Sequence, residues 1–341
     1  RRSRAPFTPI NRFKNSFNTA NIKGALMKKI ILFPIFILLV SLVLTACGDE
    51  KGQTQNENQK NQLSIYTTVF PLQYFTERIG DKFVRVNTVY PPGADEHTFE
   101  PSQKDMIKLA DSDLFFYIGL GLEGFVEKAK ESLKNEKVTL IPTAENLILN
   151  PVEDHDNDAD HEDDGHGDFN PHVWLDPIYS KEMAAVIRDS LVEKMPENKE
   201  AFDQNYQQLA KELDELDFKF ESMVQTAKNK NILVTHAAFS YWEQRYGIKE
   251  NSISGLSTTN EPTQRDLEKI ISLADKEGIQ YILFEQNVQS KLAEIVQKEI
   301  GARALPLHNL GILTKENIKD KETYFTLMNQ NLETLKTALN D

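Results

Sequence analysis

From residue 63 onward, short apolar runs alternate with amphipathic segments, a pattern that belongs to βαβ units around a mainly parallel sheet. It predicts strands at 63–68, 84–90, 114–118 and 138–141, with helices opening near Pro71, at Pro101 and near Leu122. The two prolines stand where a first helical turn tolerates a missing N–H. A second set of strands is predicted at 232–235, 248–253, 281–284 and 302–305, with helices over 237–246, 262–276 and 288–300 and Gly301 as a stop. Between the sets, 196–227 contains no Gly and no internal Pro. There Phe202, Tyr206, Leu209, Leu213, Leu216, Phe220, Met223 and Ala227 recur at steps of four and three, one face of a long helix. A coiled-coil dimer is the competing reading of that seam, but folded α/β sequence on both sides favours packing along the lobes. The expected fold class is therefore α/β: two lobes, each a mainly parallel sheet flanked by helices, joined by one long rigid helix. The expected boundaries are 63–195 for the first lobe, 196–228 for the connector and 229–341 for the second.

Charge is distributed unevenly. The 341 residues hold 39 Lys+Arg and 52 Asp+Glu, a net charge of -13. Residues 1–46 contain eight of the bases and no acid, leaving 31 bases against 52 acids, a balance of -21, for the rest. An acidic chain lacks the basic face that nucleic acid requires. Met27-Lys28-Lys29, an apolar run over 30–44 and Leu44-Thr45-Ala46-Cys47 resemble a bacterial lipoprotein signal peptide, 27–46, with Cys47 as the lipidated mature N-terminus. Residues 47–62 then read as the anchor and a flexible tether, and 1–26 as a non-native upstream extension. Two or more acyl chains hold a protein stably on a membrane, so the expected location is extracytoplasmic, lipid-anchored, of the Gram-positive type. One Cys excludes an internal disulfide framework and a multi-Cys zinc ribbon, so a bound metal must rely on His and carboxylates.

The seven histidines form two populations. His155, His161 and His166 lie in 153–168 among nine acids and no base. That loop is either a solvated acidic segment or a weak multivalent trap for divalent cations. His97, in a loop after the second strand, His172, between prolines at 171 and 177, and His236 and Glu285, each directly after a predicted strand, form a sharper group. Ligands of open α/β sheets bind outside the carboxyl ends of strands, and three imidazoles with one carboxylate match a tetrahedral zinc site. His308 has no companion motif and reads as structural.

Three motifs, Gly93-Ala94-Asp95-Glu96-His97-Thr98-Phe99-Glu100-Pro101, Asn170-Pro171-His172-Val173-Trp174-Leu175-Asp176-Pro177 and Thr235-His236-Ala237-Ala238-Phe239, resemble the solute-binding lipoproteins of bacterial zinc- and manganese-uptake ABC transporters. The resemblance covers 63–341. It implies a metal held in the cleft between two lobes by His97, His172, His236 and Glu285, with Glu96 as an alternative ligand or an outer carboxylate. The acidic His loop resembles the zinc branch, and more imidazole favours zinc over oxygen-preferring manganese. The implied role is capture of Zn2+ as cargo by a non-enzymatic, monomeric protein and delivery to an ABC permease and its ATPase. Manganese is the nearest alternative cargo. A secreted zinc hydrolase with Glu96 or Glu285 as general base lacks a His-Glu-x-x-His helix, and an adhesin on the same fold has no separate sticky motif.

Overall fold

The computed structural model describes residues 62–150, 169–256, 262–286 and 290–341. Cys47, the segments 1–26 and 27–46, and His155, His161 and His166 of the acidic loop lie outside the described residues.

Strands β1 (Leu63–Thr67), β2 (Val84–Thr88), β3 (Leu114–Tyr117) and β4 (Thr139–Pro142) form one all-parallel sheet in the order β2-β1-β3-β4. Strands β5 (Asn231–His236), β6 (Lys249–Ser254), β7 (Tyr281–Glu285) and β8 (Arg303–Leu307) repeat that plan as β6-β5-β7-β8. In each sheet the winding reverses between the first and third strand of its set, which opens a crevice at the carboxyl ends. Every strand falls where the apolar runs predict it, with ends displaced by no more than two residues. The central β3, Leu-Phe-Phe-Tyr, is buried throughout, as a strand covered on both faces must be.

Helix α1 (Phe70–Gly80) carries Pro71 in its first turn as expected. The next two helices, α2 (Gln103–Ala110) and α3 (Val126–Leu133), start later than the sequence predicts. Ser102 and Asp105 form a reciprocal capping box that moves the first start past Pro101. At the second, the Glu123 carboxylate accepts from Ile118 N at 2.8 Å, Gly119 N at 3.0 Å and Thr68 Oγ1 at 2.7 Å. Those bonds hold 118–123 as a loop across the ends of β1 and β3.

Helix α4 (Pro177–Lys194) opens on Asp176, whose side chain accepts from Ile178 N and Tyr179 N. The connector α5 (Lys199–Gln225) has 27 residues, about 40 Å at 1.5 Å per residue; a 3-10 turn, Pro196–Asn198, takes up the residues expected before it. Its Phe202, Leu209, Leu213, Leu216 and Phe220 are fully buried, so the predicted stripe packs on the lobes. The second lobe adds α6 (Ser240–Tyr246), α7 (Gln264–Glu277) and α8 (Lys291–Ile300), the last ending at Gly301 with φ 65°.

Beyond the elements that the sequence pattern predicts lie two more helices, α9 (Lys315–Asp320) and α10 (Tyr324–Asn340). The second returns to the first lobe: the Tyr324 ring lies 5.0 Å from Phe75 of α1, and its hydroxyl donates to Trp174 O at 2.8 Å. The lobes thus share one continuous apolar core, in which Ile65, Phe75, Trp174, Tyr324 and Trp242 are all fully buried. Among the described residues, no helix is long and apolar enough to cross a membrane.

Candidate metal centre

His236 is the last residue of β5 and Glu285 the last of β7. Val234 pairs with Leu283 across these strands, so the two ends lie side by side at the reversal of the sheet. Both side chains are buried. Glu285 Oε1 accepts from His236 Nδ1 at 2.5 Å and from Thr235 Oγ1 at 2.7 Å. A carboxylate oxygen can only accept here, so Nδ1 carries a hydrogen and Nε2 is the nitrogen presented to the cleft. Burial opposes charge on this imidazole, but Glu285 above all, then Glu96 and Glu250, outweigh it and raise the His236 pKa to about 9.

His172 is oriented by Asn170 in the same manner. The Asn170 Nδ2 group donates to Ala237 O at 3.0 Å and Ser240 Oγ at 2.8 Å, which fixes the amide. Its Oδ1 then accepts from His172 N at 3.0 Å and His172 Nδ1 at 2.8 Å. His172 therefore also presents Nε2, and that atom lies 3.3 Å from His236 Nε2. Two lone-pair nitrogens at this separation repel unless a proton or a cation lies against both. A tetrahedral zinc with Zn–N bonds of 2.0–2.1 Å has an N···N edge of about 3.3 Å.

His97 completes the group from the first lobe. Asp95 Oδ1 accepts from His97 N at 2.9 Å and Thr98 N at 3.1 Å, a local turn that sets the loop. The His97 ring lies 5.2 Å from that of His172 and 6.1 Å from that of His236, and one ligand nitrogen of each lies within 4.8 Å of the others. Glu285 stands behind His236 and outside that trio. Its Oε2 is buried and accepts no hydrogen bond among the described residues.

Glu96 is buried beside this group, and burial raises its pKa to about 7. Its Oε1 accepts from Asn309 Nδ2 at 3.0 Å. His308, expected to be structural, is buried with its backbone N donating to Asn331 Oδ1 at 2.8 Å. Sequence reasoning gave no role to Asn170, Glu250 or Asn309. A signal existed for Asn170, two residues before a candidate ligand in a proline-fixed turn; none marks Glu250 in an ordinary strand or Asn309 far along the chain.

The family described as Zinc-uptake complex component A periplasmic, ZnuA, matches residues 65–338. The chain belongs to this family. This ZnuA-family chain is 35% identical over 312 residues to the zinc-binding lipoprotein AdcA of Streptococcus pneumoniae, an alignment covering 91% of this chain and 61% of that protein. It thus spans about three fifths of the length of that relative. It is 29% identical over 300 residues to the high-affinity zinc uptake system protein ZnuA of Bacillus subtilis, covering 87% and 94% of the two. Among solved structures, the Zn(II)-bound ZnuA-like domain of Streptococcus pneumoniae AdcA superposes with a TM-score of 0.70 at 33% identity, over 82% of this chain and 100% of that one. ZnuA-family membership agrees with the resemblance carried by the three motifs, and those motifs are the segments that bring the three imidazoles together.

Proposed function

We propose that this chain captures Zn2+ outside the cytoplasm and hands it to an ABC permease with its ATPase, the ion being cargo. His97, His172, His236 and Glu285 are its ligands in this reading. The observation that carries it is the 3.3 Å approach of two imidazole Nε2 atoms whose Nδ1 atoms are both tied down by acceptors. Carboxylate or amide acceptors on the far nitrogen fix a ligand's tautomer and raise its basicity. Glu285 does one task at a time: with Oε1 on His236 Nδ1 it lies about 6 Å from an ion at Nε2, so to serve as the fourth donor it leaves that nitrogen and turns a carboxylate oxygen to the ion. A sphere closed by four protein ligands leaves no place for an activated water, which supports transport over hydrolysis. Three imidazoles also favour zinc over manganese.

The relatives named above are described as zinc-binding and zinc-uptake proteins, and the first of them as a lipoprotein. That supports Cys47 as a lipid anchor after a signal peptide ending at 46, with 47–62 as tether. In the same reading His155, His161 and His166 concentrate cations near the cleft, and the protein works as a monomer. The single variants His97→Ala, His172→Ala and His236→Ala are each expected to lose at least tenfold in zinc affinity in a competition with a chromophoric chelator. Wild-type affinity in all three overturns the assignment.

A further inference from the structure

The loop 308–312 follows β8 in the second lobe, yet three of its polar groups, Asn309 O, Asn309 Nδ2 and Gly311 O, bond to the first lobe. Asn309 O accepts from Trp174 Nε1 at 2.6 Å, two residues after His172. Asn309 Oδ1 accepts from Gly311 N at 3.0 Å, which holds the amide so that Nδ2 donates to Glu96 Oε1 at 3.0 Å. Gly311 O accepts from Phe70 N at 2.8 Å, where α1 begins. The loop is built for close approach. Leu310 has φ 61°, and a Cβ on Gly311 would lie 2.5 Å from Glu96 Oε1. Asn309 and Glu96 are both 6% exposed, so water cannot readily replace the bond between them.

We propose that Asn309 is a positioning residue for the metal site. By holding Glu96 from the opposite lobe it sets the backbone that carries His97, while its carbonyl holds the segment that carries His172. The inference rests on the reading of His97 and His172 as zinc ligands. In this role Glu96 is an anchor with one oxygen committed to Asn309, and the second lobe acts on ligands that it does not itself contain.

The test uses the full chain with three readouts: zinc affinity by chelator competition, the visible spectrum of the Co2+ form, which reports ligand geometry, and metal-free thermal unfolding. Asn309→Ala is expected to weaken zinc binding 10- to 100-fold and to alter the Co2+ bands. Asn309→Asp combined with Glu96→Gln reverses the direction of the bond and keeps an acceptor for Gly311 N. This pair is expected to recover most of the lost affinity and the wild-type Co2+ spectrum; altered Co2+ bands in an Asn309→Ala protein that is still folded by its thermal transition are the readout a merely structural role would not move. Wild-type affinity and spectrum in Asn309→Ala overturn the proposal, as does a swapped pair as weak as Asn309→Ala. Should Asn309→Ala not fold, the swapped pair decides alone. His97→Ala is measured alongside: if it binds zinc normally, the ligand assignment falls, and if only Asn309→Ala binds normally, the positioning role falls.

Discussion

Glu285 Oε1 lies 2.5 Å from His236 Nδ1, at the point where two neighbouring parallel strands of the second lobe end. This contact fixes a tautomer, supplies negative charge next to an imidazole and leaves one carboxylate oxygen over. Replacing Glu285 with Gln keeps an acceptor of the same shape and removes the charge. The His236 pKa is then expected to fall from about 9 toward its ordinary 6.5, and zinc affinity to drop 10- to 100-fold. An NMR titration of the His236 ring with a chelator competition checks both; an unmoved pKa rules out the charge effect.

The same pair sets the sign of the pH dependence. With a pKa of about 9 in the metal-free protein, His236 is protonated at neutral pH, and zinc must displace that proton. Affinity is expected to fall as pH drops below 9, and His236 to release close to one proton per zinc near pH 7. Calorimetry in buffers of different ionisation enthalpy counts the proton, and a count of zero refutes the raised pKa of His236. Without metal the signs reverse. The stability that comes from the raised pKa is fully present below 6.5 and is lost as pH rises through 9.

Asn170→Ala removes the acceptor for both His172 N and His172 Nδ1. Losing an outer partner of this kind is expected to cost 10- to 100-fold in zinc affinity, although the residue touches no metal. Affinity equal to that of the wild type counts against the orientation described for His172.

His308, which follows the strand partner of Glu285, gives the fold an acid-labile point. Burial lowers its pKa from 6.5 to about 4, so between those values the unfolded chain binds more protons than the folded one. Stability is expected to fall as pH drops through that window, by on the order of 3 kcal/mol in all. Chemical denaturation of metal-free His308→Gln at pH 7 and pH 4.5 is expected to show a smaller loss than wild type. An equal loss assigns the acid sensitivity elsewhere.

Tyr324→Phe deletes the hydroxyl that donates to Trp174 O at 2.8 Å inside the shared core. The carbonyl keeps its bond from Ser180 Oγ at 2.9 Å, so the expected cost is that of one net hydrogen bond, about 0.5–1.5 kcal/mol of stability. A melting temperature unchanged within error denies this bond a role in joining the lobes.

Much of this architecture is legible in sequence because parallel strands buried on both faces read as continuous apolar runs. The ends of β5 and β7 are readable in the sequence and place His236 and Glu285 at one sheet edge. What sequence did not show depends on pairings between distant segments. Asn309 meets Glu96, and Tyr324 meets Phe75, only once both lobes are assembled. The late start of α3 was hidden for a related reason, since Glu123 reads as a helix-forming residue until its carboxylate is seen binding the ends of β1 and β3. The periodicity of α5 located the connector but could not reveal that α10 is a second bridge.

The return of α10 to the first lobe also bears on the order in which the molecule is completed. Phe75 belongs to the earliest helix described and Tyr324 to the last, so their contact closes most of the chain from residue 62 onward into one loop. Contacts of such long sequence separation form late and slow folding. The leading half therefore cannot finish packing while the trailing half is still being synthesised or threaded through a membrane. A chain delivered end-first reaches its native core only when its final helix arrives.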